Sequence, residues 1–301
     1  MAISRSQLVK ELEPGLNALF GLEYKRYENQ HAEIYTAENS DRAFEEEVML
    51  SGFGNAQVKG EGSGVSFDEA QETFTARYTH ETVALAFAIT EEAIEDNLYD
   101  RLASRYTKAL ARSMSNAKQV KAVEPLINGF GGGFTSGDGA NLFSTSHSTV
   151  SGSFQNTLTT QADLNETSLE QSLIDIGQMT DERGLRVAAR GLKMIIPSEL
   201  QFTAERLMKS QGRTGTADND INAIVSMGMI PQGYRVNNYL TDTDAFYILT
   251  DVPNGMKMFT RAPLTTAMEG DFDTGNVRYK ARERYVFGFS DPRGIFGSNA
   301  T

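Results

Sequence analysis

The 301-residue chain has no cysteine and no tryptophan, and only three histidines and seven prolines. Without cysteine there is no disulfide, no thiolate nucleophile and no thiolate metal ligand. The histidines, His31, His80 and His147, are scattered without ligand spacing, which argues against a zinc site. No apolar run is long enough for a signal peptide or a membrane span, including at the N-terminus "MAISRSQLVKELEPGLNALFG". The chain therefore reads as cytoplasmic at synthesis, with no membrane partner. Positive charge is short as well: 28 Lys and Arg against 40 Asp and Glu leave a net charge of −12. Such a surplus of acid keeps a protein soluble and opposes sticking to DNA. No Lys/Arg cluster of the kind that neutralises phosphates stands out.

What is present is a core-forming share of hydrophobic residues, 40 %, and 27 glycines. The length suits one large domain or two smaller ones. "SQLVKELEPGLNALFGLEY" predicts a short helix broken near Pro14 and Gly15. Residues 58–90 predict an extended β-ribbon. In "ETFTARYTHE", Phe74, Ala76, Tyr78 and His80 share one face, and in "TVALAFAIT" Val83, Leu85, Phe87 and Ile89 alternate with alanines. So long and polar a ribbon needs another surface to lie on.

Residues 91–122 predict one long helix, N-capped by Thr90. Acids at Glu91, Glu92, Glu95 and Asp96 precede Lys118 and Lys121, complementing the helix dipole. Its apolar stripe is Ile94, Leu98, Leu102, Tyr106, Leu110, Met114 and Ala117, and Pro125 sets its limit. At about 1.5 Å per residue such a helix is a strut of roughly 48 Å. Residues 128–162 are rich in Gly, Ser and Thr and read as loop. A second helix is expected near 165–182, with Leu169, Leu173, Ile176 and Met179 inward and Gly184 as its stop. "GLKMIIP" reads as a strand, and "SELQ" at 198–201 as a capping box opening a helix to about Ser210. "GYRVNNYL", "AFYILTD", "MKMFTRA" and "VRYKARERYVFGF" read as strands. Helices and strands mix without regular alternation, so the fold class is α+β.

The one stretch with the residue types of a hydrolase is "DGANLFSTSHSTVSG", with Asp138, Ser144, Ser146 and His147. A nucleophile, base and orienting acid must meet in space, the serine on a strained turn. No G-x-S-x-G occurs, and a polar loop whose hydroxyls bond its own backbone is the expected reading. "GFGGGF" at 129–134 lacks the Gly-Lys-Ser/Thr ending of a phosphate cradle and reads as a flexible hinge. "EGDFDTGN" spaces Glu269, Asp271 and Asp273, but an EF-hand counted from Asp271 meets Arg282 where glutamate belongs, so a solvated turn is expected. No catalytic, cofactor-binding or metal-binding residue is expected, and no cofactor.

The order of parts resembles that of the major capsid proteins of tailed bacteriophages, the Hong Kong 97-type fold, nearest the Mu-like head-subunit branch. There is an arm, a glycine-led ribbon, a strut helix, a Gly/Ser loop with "GANLFSTSHST", then "LRVAARGLKMIIPSEL" and an α+β remainder. The resemblance implies an N-terminal arm at 1–50 and an extended loop at 51–90. It implies a peripheral domain with a spine helix at 91–185 and 276–301, and an axial domain at 186–275. It further implies an icosahedral head shell built from hexamers and pentamers of the chain itself, assembled in the host cytoplasm. Scaffold and portal proteins would be partners, with DNA packaged non-specifically and the protein ending in the virion. One family member cross-links through Lys and Asn; Lys59 lies at the ribbon's start, but no motif carries that chemistry over. An encapsulin-like nanocompartment shell shares the fold and is the alternative, ahead of a Ser/His hydrolase.

Overall fold

The computed structural model describes residues 5–90, 92, 99–213, 220–271 and 275–300. Two four-stranded sheets carry the fold. The first has the order β1 (Thr36–Asn39), β10 (Met256–Gly270), β11 (Val277–Phe289), β4 (Glu81–Ile89). β10 and β11 form a long antiparallel hairpin; β4 adds antiparallel to β11, and β1 parallel to β10. The second sheet has the order β12 (Ile295–Ser298), β9 (Phe246–Thr250), β7 (Gly191–Ile196), β8 (Tyr234–Val236).

Strict alternation builds β11. Val277, Tyr279, Ala281, Glu283, Tyr285, Phe287 and Phe289 are buried, while the residues between them face outward. The buried face is covered by two helices. α1 (Arg5–Arg26) brings Leu16 and Phe20, and α2 (Tyr99–Ile127) brings Leu110, Ala111 and Met114, onto Tyr279 and Ala281. At the far end of α2, Ala122, Val123 and Leu126 join Phe143, Ile195, Tyr247 and Tyr285 in a cluster linking the two sheets. The second sheet has its own core with α3 (Glu166–Gln178), α4 (Gln201–Lys209) and α5 (Ala223–Met227), through Leu169, Ile176, Met194, Ala204, Ile224, Phe246 and Phe296. β12 thus returns the chain to the second sheet.

Several expectations change. α1 does not break: Pro14 lies inside it. α2 runs past Pro125 to Ile127, because Leu126 is locked into the core and outweighs the hydrogen bond proline lacks. Of the expected start of α2, the acids at 91, 95 and 96, with Ile94 and Leu98, lie outside the described residues, and the Leu102 side chain is not described. Further along, the buried face includes Ala103, Thr107, Leu110, Ala111 and Met114, while Tyr106 of the expected stripe is half exposed. α3 ends at Gln178, before the expected 182; Gly184 serves instead in a turn closed by Gly184 N–H onto Asp181 O, with φ of 81°. Ser198 does not cap α4, because its hydroxyl turns to Glu199; the capping box is at the start of α3, where Asn165 and Ser168 bond reciprocally. The stretch 129–134 is no loose hinge, since Phe130 stacks on Phe143 at 4.5 Å between ring centres.

The largest difference concerns the ribbon. β3 (Glu72–Thr79) and β4 form where alternation predicts them, yet they do not pair with each other. β3 pairs with β2 (Phe44–Leu50), a strand absent from the sequence reading, and β4 crosses into the first sheet. The expected inward face of β3 holds, with Tyr78 and His80 buried against the body.

Candidate functional site

His147 lies in a two-residue strand, β5 (His147–Ser148), paired with β6 (Ser153–Phe154). Its ring is fully buried, at 0 % exposure. Nδ1 meets Asp138 Oδ2 at 2.9 Å, and Nε2 meets the Leu142 carbonyl at 3.2 Å and Asn156 Oδ1 at 3.1 Å. Neither serine reaches it: the Ser144 hydroxyl accepts from the Ser146 backbone N–H. Asp138 also accepts from the Ser148 N–H at 3.1 Å. A void beside Asp138 and Ser148 measures about 10 Å³, too small for a substrate. The acid, base and hydroxyl types of a hydrolase are close in sequence, but the geometry uses them to fasten a loop.

The fastening extends inward. His147 stacks on Phe154 at 4.9 Å, and the Arg293 guanidinium lies 4.1 Å from the centre of that same ring. Arg293, almost wholly buried, donates to Glu182 at 2.7 Å and to the Thr180 carbonyl at 2.8 Å, and pairs with Asp291. Asn156 donates to the Leu142, Pro292 and Ile295 carbonyls. The Gly/Ser loop, the 180–184 turn and the C-terminal strand are thereby tied together.

The root of the β2–β3 ribbon is fixed to the first sheet. Lys257 Nζ donates to Glu47 at 2.5 Å and to Glu38 at 3.1 Å. Ser290 links Glu47 to the Tyr78 hydroxyl. Gly137 permits close approach here, since a Cβ on it would meet Phe74 Cβ at 2.8 Å. Beyond the root, residues 52–71 have no strand or helix. Arg183 holds this loop's return through Asp68 at 3.0 Å. Its tip lies free: Val58 is 100 % and Phe67 97 % exposed, and Phe53 and Val65 are exposed too. Outside this loop, Leu22, Phe202, Ile221 and Met227 are also largely exposed.

Two buried titratable groups, His31 and Glu283, lie where α2 meets the first sheet, and a third, His80, lies at the ribbon root. Burial, then the nearby Lys118 charge, push the His31 imidazole down to about 4. Burial raises the Glu283 carboxyl above its ordinary range, opposed by Lys118 at 3.1 Å. Burial and then the Arg284 charge lower His80, whose Nε2 meets the Ser40 hydroxyl at 2.8 Å.

One set of residues was missed. The outward face of β11 carries Arg278, Lys280, Arg282 and Arg284 in a single column. Their cross-strand neighbours are Ala88, Ala86, Ala84 and Thr82 on β4, and Glu269, Ala267, Thr265 and Ala262 on β10. The signal is the period-two placement of cations in "RYKARER"; a search for contiguous basic runs passes over it. Of the acids expected in a turn at 269–276, Glu269 is still in β10 and Asp271 begins the turn, bonded to Asn276 and Gly275 and paired to Arg278 at 2.5 Å; Asp273 lies outside the described residues. Among the described residues no group of three or more His, Asp or Glu is placed to hold a metal, and no helix is long and apolar enough to cross a membrane.

A strut helix on a long hairpin sheet, a second sheet with its own core, and a projecting ribbon define the class of viral shell subunits. The comparisons agree. The phage capsid protein family profile matches residues 72–298, three quarters of the chain, and the chain belongs to that family. Among solved structures, the capsid of a native GTA particle matches with a TM-score of 0.56 at 14% identity, covering 89% of each chain. A virus-like particle from Pyrococcus furiosus matches with a TM-score of 0.54 at 10% identity, covering 95% of this chain and 98% of that one. The procapsid of bacteriophage JBD30 gives 0.53 at 14% identity, covering 99% and 77%. No curated sequence relative matches. The protein is a shell-forming major capsid protein with the Hong Kong 97-type fold, a structural protein of the virion that associates with copies of itself.

Proposed function

We propose that the protein builds the icosahedral head shell around a phage DNA genome, as hexamers and pentamers assembled in the host cytoplasm with scaffold and portal proteins. The loop between β2 and β3 supplies the contact that carries this reading. Four of its apolar side chains, Phe53, Val58, Val65 and Phe67, are exposed on a single copy. Covering each is worth about 1.5–3 kcal/mol before the loop's ordering entropy is subtracted, enough to hold subunits when repeated at every position. Within this reading, 1–43 is the arm and 44–79 the extended loop with its two strands. The first sheet with α2 is the peripheral domain, and the second sheet with α3, α4 and α5 the axial domain; the strand pairings favour these limits over 1–50, 51–90 and 186–275. Head-to-tail repetition of one heterologous contact closes rings, as a shell requires.

The test replaces residues 53–70 by a short Gly-Ser linker. Unchanged far-UV circular dichroism with loss of all particles in sedimentation is expected. Particles of ordinary size from the truncated chain would contradict the role given to the loop. The nanocompartment alternative is separated by what purified particles contain, nucleic acid or protein cargo.

A further inference from the structure

In a chain of net charge −12, the outward column of β11 concentrates positive charge on one face. Arg278 is paired with Asp271. No carboxylate closes an ion pair with Lys280, Arg282 or Arg284 among the described residues. Arg261 adds to them: it is the extra residue at a bulge between Thr260 and Ala262, and it and Arg284 both act on His80. Like charges lined up this way repel one another, and an anion laid along them removes the repulsion. The floor around Lys280, Arg282 and Arg284 is low, because alanine and threonine flank them on both sides, while Glu269 stands opposite Arg278. The opposite face of the sheet is closed by α1 and α2; on this face the ribbon root covers the end beyond Arg284 through Tyr78, and Arg278, Lys280 and Arg282 stand exposed.

We propose that this face binds the phosphodiester backbone of duplex DNA, without regard to base sequence. Alternate residues of an antiparallel strand stand about 7 Å apart, so the column spans roughly 20 Å. Successive phosphates of one DNA strand rise about 3.4 Å along the axis while swinging around it, which separates them by about 7 Å along the backbone. Cation and phosphate spacings therefore match. The Thr82 hydroxyl suits a phosphate oxygen, and no Asn or Gln stands on the floor to read a base edge. An acidic segment of a second copy fits less well. Nowhere does the sequence place Asp or Glu at four alternate positions, and its one run of three, Glu269, Asp271 and Asp273, lies on this same hairpin. The proposal rests on the shell reading only for the source of the DNA, and it implies that this face lines the interior.

The test uses the full-length chain, kept below the concentration at which it assembles, and a fluorescent duplex of about 20 base pairs. Anisotropy is followed from about 50 to 200 mM salt. Replacing Lys280, Arg282 and Arg284 together by glutamine is expected to weaken binding at least tenfold. It should also lower the slope of log K against log salt by about 3, one for each lost phosphate contact. A charge-matched control, Lys59→Gln with Lys108→Gln and Arg112→Gln, should change the slope far less. Should the triple variant fail to fold, exposed Lys280→Gln alone should lower the slope by about 1. A slope unchanged in both variants overturns the proposal. So does lost assembly with duplex binding intact, which would assign the column to a second copy of the chain. Failure of the wild-type chain to form shells is a separate observation, and it strikes at the shell reading alone.

Discussion

His147 is wholly buried and hydrogen-bonded at both ring nitrogens, a structural fastening. Both its ring nitrogens face acceptors, and it stacks on Phe154, the ring that Arg293 also packs against. His147→Ala removes one partner each from Asp138, the Leu142 carbonyl and Asn156 Oδ1, and empties a fully buried site. A loss of about 3 kcal/mol is expected, measured by denaturant unfolding, from the cavity the buried ring leaves and the hydrogen bonds lost with it. His31 makes a pH prediction. Folded, its pKa is held near 4, below its ordinary 6.5. The unfolded chain therefore takes up a proton first as pH falls, and stability declines from about pH 6.5 down to 4. The full effect is about 3 kcal/mol at 1.36 kcal/mol per unit. His31→Phe keeps the edge contact with Phe287 and should flatten that part of the melting-temperature profile. Glu283 has the opposite sign, its raised pKa favouring low pH, so only the difference between wild type and variant isolates His31. At this scale the sequence showed that 138–152 was a polar loop, but not what holds it. Asn156 was never singled out, because two of its acceptors, at Pro292 and Ile295, lie 136 and 139 residues away.

Among the elements, α2 is fastened to β11 by Lys118 and Glu283, an ion pair buried from both sides. Lys118 also sits 4.9 Å from the centre of the Tyr285 ring. Breaking one side of such a pair leaves a buried charge behind. Lys118→Met should cost about 3–5 kcal/mol, whereas Lys118→Met with Glu283→Leu should recover most of it. Urea unfolding of the two variants measures the difference. Period-two alternation found β11 to the residue and β3 and β4 nearly so, because each buries one face. It could not tell which strands pair. β2, "FEEEVML", was invisible: its glutamates answer Lys257 and Arg77, and its apolar residues Phe44, Val48 and Leu50 lie on the exposed face, interrupted by Glu46. α2 was legible as a long helix, but its buried face turned on small and polar residues such as Ala103, Thr107 and Ala111, which a search for large apolar side chains passes over.

For the molecule as a whole, the sequence reading had all of 58–90 reaching for a neighbour. Most of it is in fact spent at home: β3 docks through Tyr78, and β4 completes the first sheet. What remains unsatisfied is shorter and sharper, the tip from 52 to 71, with Val58 and Phe67 open to water. The same distinction governs charge. The net value of −12 describes the average surface, while the column on β11 is a local exception that the average hides. The central claim is that the tip of the ribbon finds its partner on another copy. Cryo-electron microscopy of particles assembled from the purified chain tests it most directly. The account predicts closed shells in which residues 53–70 of each subunit lie on an adjacent one, with Val58 and Phe67 covered. Shells in which that loop folds onto its own subunit, or a monomer that stays monomeric at high concentration, would contradict it.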